Sequence, residues 1–162
     1  MVHRSFEFVM PASAAVVFDA FHYHHWRHRW DSLVSATVIE GGAHCPYVGA
    51  VTHNVGSGWM RNLSMRTQFV AFDRPRLAAA SMLGQSFPFK RWAASMRHKE
   101  LDNGQSLLLY TYTLEVGPSW IAWFIRPIVE RVFEYQTRQR FQRLSKYLTT
   151  HADAVYRWQQ DR

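Results

Sequence analysis

The sequence predicts an α+β fold: a curved antiparallel sheet of about seven strands wrapped around a long C-terminal helix, with one or two short helices after the first strand. Three observations predict it. Residues 33–116 are a succession of β-branched and aromatic runs cut by short turn signals. After Ser119 the apolar period changes from two to between three and four residues. A separate helical segment sits between the first run and the second. A sheet and an amphipathic helix each have one apolar face to cover, and each can cover the other.

The elements follow in order. Residues 3–10, HRSFEFVM, read as the first strand, with Phe6 and Phe8 on one side. Pro11 ends it, and Ser13 is placed to cap a short helix carrying Val16, Val17, Phe18 and Phe21. A histidine-rich stretch, His22 to His28, runs on to Trp30 and Asp31. Strands are predicted over 33–40, 47–55, 59–72, 77–83, 87–99 and 107–116. Their turns include Gly41-Gly42, Asp73-Arg74-Pro75 and the hairpin-type Asp102-Asn103-Gly104. Ser119 then caps a helix whose apolar stripe is Ile121, Phe124, Ile125, Ile128, Val129, Val132, Phe133, Phe141, Leu144 and Leu148. Pro127 is expected to bend this helix or split it. Residues 1–150 form one domain, and 151–162 form a polar tail that frays or extends the helix over the surface.

The chain has 162 residues, of which 48% are hydrophobic and 19% charged, a globular composition rather than a disordered one. Its 11 Phe, 7 Tyr and 7 Trp suit either a ring-filled core or the lining of a cavity for flat, greasy ligands. The net charge is +7, yet basic residues stand singly and form no block, which argues against nucleic-acid binding. The single cysteine, Cys45, cannot form an intramolecular disulfide and fits a reducing compartment. Neither a signal peptide nor a membrane-spanning apolar run is read, so the expected location is cytoplasmic.

On the segments FEFVMPASAAVVFDAF, Trp30-Asp31, the succession of turns and the closing GPSWIAWFIRPIVERVFEYQTRQRFQRLSKYL, the chain resembles the START-related SRPBCC superfamily. That group includes polyketide cyclase/dehydrase-like proteins and has the helix-grip fold of the birch-pollen allergen. The resemblance covers about residues 3–150 and implies a cavity between the concave sheet face and the last helix. By strand parity its lining would be Trp59, Arg61, Leu63, Met65 and Phe69, then Trp92 and Met96, then Tyr110 and Tyr112. From the helix it would be Phe124, Ile128 and Val132. The alternative is that these rings fill a solid core.

Arg61, if inward, implies an anionic group on the ligand, since an unpaired buried guanidinium is costly; at a strand end it would lie in solvent. His24 and His28, at i and i+4, are weak metal-ligand candidates, as are His22 and His25 at i and i+3. Neither HExxH nor a nearby cysteine ligand accompanies them, so surface histidines are the better reading. No nucleophile elbow, P-loop, dinucleotide fingerprint or carboxylate pair is present, and no cofactor is expected. Binding or carriage of an apolar or aromatic small molecule, such as a lipid, quinone or polyketide-like compound, is therefore favoured. The alternative is a cyclase or dehydratase acting on a polyketide-like substrate. Membrane-surface contact through the basic helix and tail is weaker still.

Overall fold

The computed structural model describes residues 1–57 and 64–162. Its strands are β1 (Val2–Met10), β2 (Val34–Ile39), β3 (Val51–Gly56), β4 (Ser64–Asp73), β5 (Leu77–Met82), β6 (Phe89–Glu100) and β7 (Ser106–Val116). They form a single antiparallel sheet in the order β1-β7-β6-β5-β4-β3-β2. Consecutive strands from β2 to β7 are antiparallel neighbours. The two edges, β1 and β2, are consecutive in the chain, so the segment joining them has to cross the whole width of the sheet. That segment holds α1 (Ala14–His22) and α2 (His24–Arg27).

Local sequence accounts for most boundaries. Ser13 caps α1, its hydroxyl accepting from the Val16 amide at 3.4 Å. Tyr23 then adopts extended φ/ψ and separates α1 from α2. At the β6–β7 turn Asn103 and Gly104 have φ of 63° and 72°, the left-handed region that Asn and Gly tolerate best. β7 alternates without a break, every second residue from Ser106 to Val116 being buried. In β4 the register shifts between Phe69 and Ala71, which resets the strand's alternation beyond Phe69.

α3 (Ser119–Gln160) is one continuous helix, not two pieces divided at Pro127. Proline removes the bond to the carbonyl four residues back, here Trp123, and both residues are exposed, so water can satisfy that oxygen. Ser119 is the first helical residue rather than the cap, a position taken by Pro118, whose carbonyl receives the Ile121 and Ala122 amides.

The two halves of α3 pack differently. Its buried residues are Thr137, Phe141, Leu144, Leu148 and Val155, all from Thr137 onward. There the helix closes a solid core with Phe6 and Met10 of β1, Val16, Val17 and Ala20 of α1, and Leu108 and Tyr110 of β7. The polar sequence after Thr150 is still helix: Val155 is fully buried and the Trp158 ring packs edge-on to Tyr23 and Trp26 and tilted against His25. Before Thr137, α3 contributes no buried side chain. It spans a cavity instead.

Candidate functional site

The cavity measures about 610 Å³, within the usual range for small-molecule sites. One wall is α3, through Ile125, Ile128, Val129, Val132, Phe133, Gln136, Thr137, Arg140 and Phe141. These residues recur at intervals of three and four, the stripe that one helix face presents. The opposite wall is the sheet, through β3, β4, β5, β6 and Tyr110 of β7; Phe21, His22, His24 and Arg27 close one end. The floor is kept low by small side chains. Ala80 of β5 and Ala94 of β6 are cross-strand partners, and Ala78 pairs with Met96. Larger side chains there would occupy the space that the cavity leaves.

Among the polar side chains in the lining, two hydrogen-bonded clusters differ in kind. On β2, β3 and β4, Thr37 donates to Asn54 Oδ1 at 3.0 Å, and Asn54 Nδ2 donates to the Thr52 and Thr67 hydroxyls at 3.2 and 3.3 Å. Those two hydroxyls are 2.7 Å apart. This network satisfies itself and asks nothing of a ligand.

The second group is charged. Arg27 Nε donates to Asp31 Oδ2 at 2.9 Å, and Arg140 Nε donates to the same oxygen at 3.1 Å. Asp31 Oδ1 accepts from the Leu33 amide at 3.2 Å. Both guanidiniums also lie over the Phe21 ring, at 5.0 and 4.9 Å from its centroid. Burial pushes the Asp31 carboxyl up, but the two guanidiniums outweigh it and hold the group at about 2. Desolvation, with Arg140 nearby, brings Arg27 down to about 10, still fully charged at neutral pH.

The histidines at the cavity are neutral. His22 is pushed down to about 3, chiefly by burial, and its Nδ1 donates to the Phe18 carbonyl at 2.9 Å. Because a carbonyl only accepts, Nε2 is left as the acceptor side of that ring. Burial, then Arg27, brings His24 to about 4. Burial also raises the Tyr110 hydroxyl far above its ordinary value and the Cys45 thiol to about 11. Cys45 accordingly holds little nucleophilic thiolate at neutral pH.

Of the residues expected at a cavity, Met65, Phe69, Trp92, Met96, Tyr110, Ile128 and Val132 are all on its wall. Trp59, Arg61 and Leu63 lie outside the described residues. Two residues are placed elsewhere. Tyr112 shares the face of Tyr110, but its ring is covered by Phe133 at 4.8 Å and Phe6 at 6.0 Å, within the solid core. Phe124 is 64% exposed and packs against Trp123 rather than the sheet, because the inward stripe runs through its neighbour Ile125. Among the histidines, the break at Tyr23 buries His22 and leaves His25 exposed, so they share no face. The His24 and His28 rings are 6.3 Å apart, and among the described residues no three His, Cys, Asp or Glu converge on a metal position.

The sequence reading missed Arg27, Asp31 and Arg140 as a unit. Two signals were available: Arg27 and Asp31 are i and i+4, and Arg140 falls eight residues after Val132 on the same helix stripe.

A family model described as polyketide cyclase / dehydrase and lipid transport matches residues 1–149. The chain belongs to this family. Among solved structures, the aromatase/cyclase Zhui from Streptomyces sp. R1128 superposes with a TM-score of 0.78 at 12% identity, over 93% of this chain and 94% of that one. Ara h 8.0201 gives 0.72 at 13% identity, over 92% and 98%. A protein from Thermus thermophilus, TTHA0849, gives 0.72 at 10%, over 90% and 95%. At such identities these likenesses show the shared helix-grip fold alone. No curated protein sequence matches the chain. Among the described residues of this cyclase/dehydrase and lipid-transport family member, no helix is long and apolar enough to cross a membrane.

Proposed function

We propose that this protein binds and carries an apolar or aromatic small molecule in the cavity between the sheet and the first half of α3. The observation that carries the reading is the cavity itself, about 610 Å³ over an alanine floor, beside a cluster of buried apolar side chains. A void of this size lined by Phe, Met, Trp and Val forfeits packing that an apolar occupant would restore.

Catalysis of a cyclase or dehydratase step is the second reading. His22 Nε2 is an available acceptor at the cavity wall, and the Tyr110 hydroxyl is a donor. Efficient general acids and bases have pKa values near the working pH. His22 at about 3 is too weak a base, and Tyr110 is shifted the wrong way for an acid. Carriage therefore has the stronger physical support.

Native mass spectrometry of gently purified protein, followed by extraction, identifies a retained occupant. Titration with the neutral dye Nile red gives the decisive comparison. Wild type should bind it, and Ala80→Trp, which fills the floor, should not, although it remains folded. Wild-type protein that fails to bind Nile red, or an Ala80→Trp variant that binds it equally well, would overturn the reading. Turnover of a polyketide-like thioester by wild type would move the conclusion to the enzyme.

A further inference from the structure

The cavity's charge deepens the carriage reading and rests on it. Among the described lining residues the charged side chains are Arg27 and Arg140, and none is Asp or Glu. The one carboxylate in contact with them, Asp31, lies behind the wall and has 2% of its side chain exposed. Two guanidiniums against one carboxylate leave one positive charge unmatched at this end of the cavity. The arginines' side chains keep 13% and 15% exposure, with Asp31 occupied by both.

We propose that the occupant is an amphipathic monoanion, with an apolar body over the alanine floor and a carboxylate or similar oxyanion seated on Arg27 and Arg140. A guanidinium presents five donors in a planar fork. Arg27 spends Nε on Asp31, and its two terminal nitrogens have no partner among the described residues. Arg140 spends Nε and Nη2, leaving Nη1. Three terminal nitrogens thus remain for an incoming oxyanion, the number of contacts a carboxylate readily accepts. The Asp31 contacts and the Phe21 ring fix both guanidinium planes before any ligand arrives, so little ordering is needed on binding. Neither cavity histidine adds charge near neutrality, since burial keeps both in the neutral form. By contrast, the Thr37–Asn54–Thr52–Thr67 network is complete without a ligand, so the arginine end is where a polar head group gains most.

The test compares ligands that differ only in the head group, by displacement of Nile red at neutral pH. The pairs are dodecanoate against dodecanol, and naphthoate against naphthylmethanol. In wild type at least one of the two acids should displace the dye at a concentration at least about tenfold lower than its alcohol. Arg140→Gln removes the surplus charge and should abolish that preference while leaving dodecanol binding intact. The double change Arg27→Gln with Asp31→Asn, made with Arg140 intact, keeps a single unmatched guanidinium and should keep the preference. This variant also guards against a loss caused by unfolding, and urea melts report the fold of each. Equal affinity for acid and alcohol in both pairs in wild type, or a preference that survives Arg140→Gln, overturns the proposal. If Nile red and dodecanol bind without any acid preference, only this inference falls. If Nile red itself fails to bind, carriage falls too. Preference for dodecanoate but not naphthoate, or the reverse, tells a fatty acid from an aromatic one.

Discussion

Asp31 is the residue on which the charged end of the cavity depends. It holds two guanidiniums and a backbone amide, and removing it would leave two arginines facing each other without a counter-ion. Asp31→Leu should therefore lower unfolding stability by about 3–5 kcal/mol, read from urea midpoints at pH 7. Its folded value of about 2 lies below the unfolded 3.8, so its contribution is complete above pH 3.8 and disappears as pH falls through 2. The buried histidines act earlier. His22, His24 and His98 are lowered from 6.5 to about 3, 4 and 4, in each case first by burial. The unfolded chain binds protons that the folded chain refuses, so stability is full above pH 6.5 and falls as pH drops toward 4. Acid loss between about pH 6.5 and 4 should thus be a histidine effect and not an Asp31 effect. His98 offers the cleanest check, for neither ring nitrogen has a partner among the described residues and the ring sits edge-on to Phe18 at 5.5 Å. His98→Phe should be neutral to stabilising at about pH 7.5 and should flatten the decline of the urea midpoint between about pH 6.5 and 4.5.

At the scale of elements, α3 does two jobs with one sequence. Its second half is a structural clamp, and its last turns complete the packing of α1 and α2. Gln159 Nε2 donates to Asp19 Oδ2 at 2.6 Å and to the Ala15 carbonyl at 3.0 Å, while Arg74 pairs with the same carboxylate. Deleting 151–162 would strip Val155 and Trp158 from the core and leave Asp19 with Arg74 alone. We expect a loss of at least about 3 kcal/mol, measured as a lowered urea midpoint with increased binding of an apolar dye to exposed surface. The first half of α3 is different, because its inward stripe meets space. Substitutions such as Val132→Ala there should cost less than Leu148→Ala, by about a factor of two, since a side chain at a cavity has fewer contacts to lose. Paired thermal melts of the two variants test the contrast.

For the molecule as a whole, occupancy and stability are coupled. A ligand that binds only the folded chain adds RT ln(1 + [L]/Kd), about 2.7 kcal/mol at a hundredfold excess over Kd. Dodecanoate should therefore raise the melting temperature of wild type and leave Ala80→Trp unmoved, as read by a dye-free thermal scan. What was legible in the sequence follows the range of the physics involved. The strand succession, the cap at Ser13, the turn at Asn103-Gly104 and the long final helix come from local patterning, because hydrogen-bond periodicity and turn chemistry act between near neighbours. The continuity through Pro127 was not legible, since it depends on whether Trp123 and Pro127 face water. Strand parity put Met65, Phe69, Trp92, Met96 and Tyr110 on one face, and the structure has them on the cavity wall. Parity could not separate Tyr110 from Tyr112, which share a face and differ only in what α3 sets against them. Local patterning thus sufficed for an α+β chain with one helix to be gripped by one sheet. The packing of the folded chain was needed to show that half of that helix stands over space, and that Arg27 and Arg140, 113 positions apart in the numbering, meet at one carboxylate. Void and charge are sums over residues remote in sequence, and no local pattern encodes such sums.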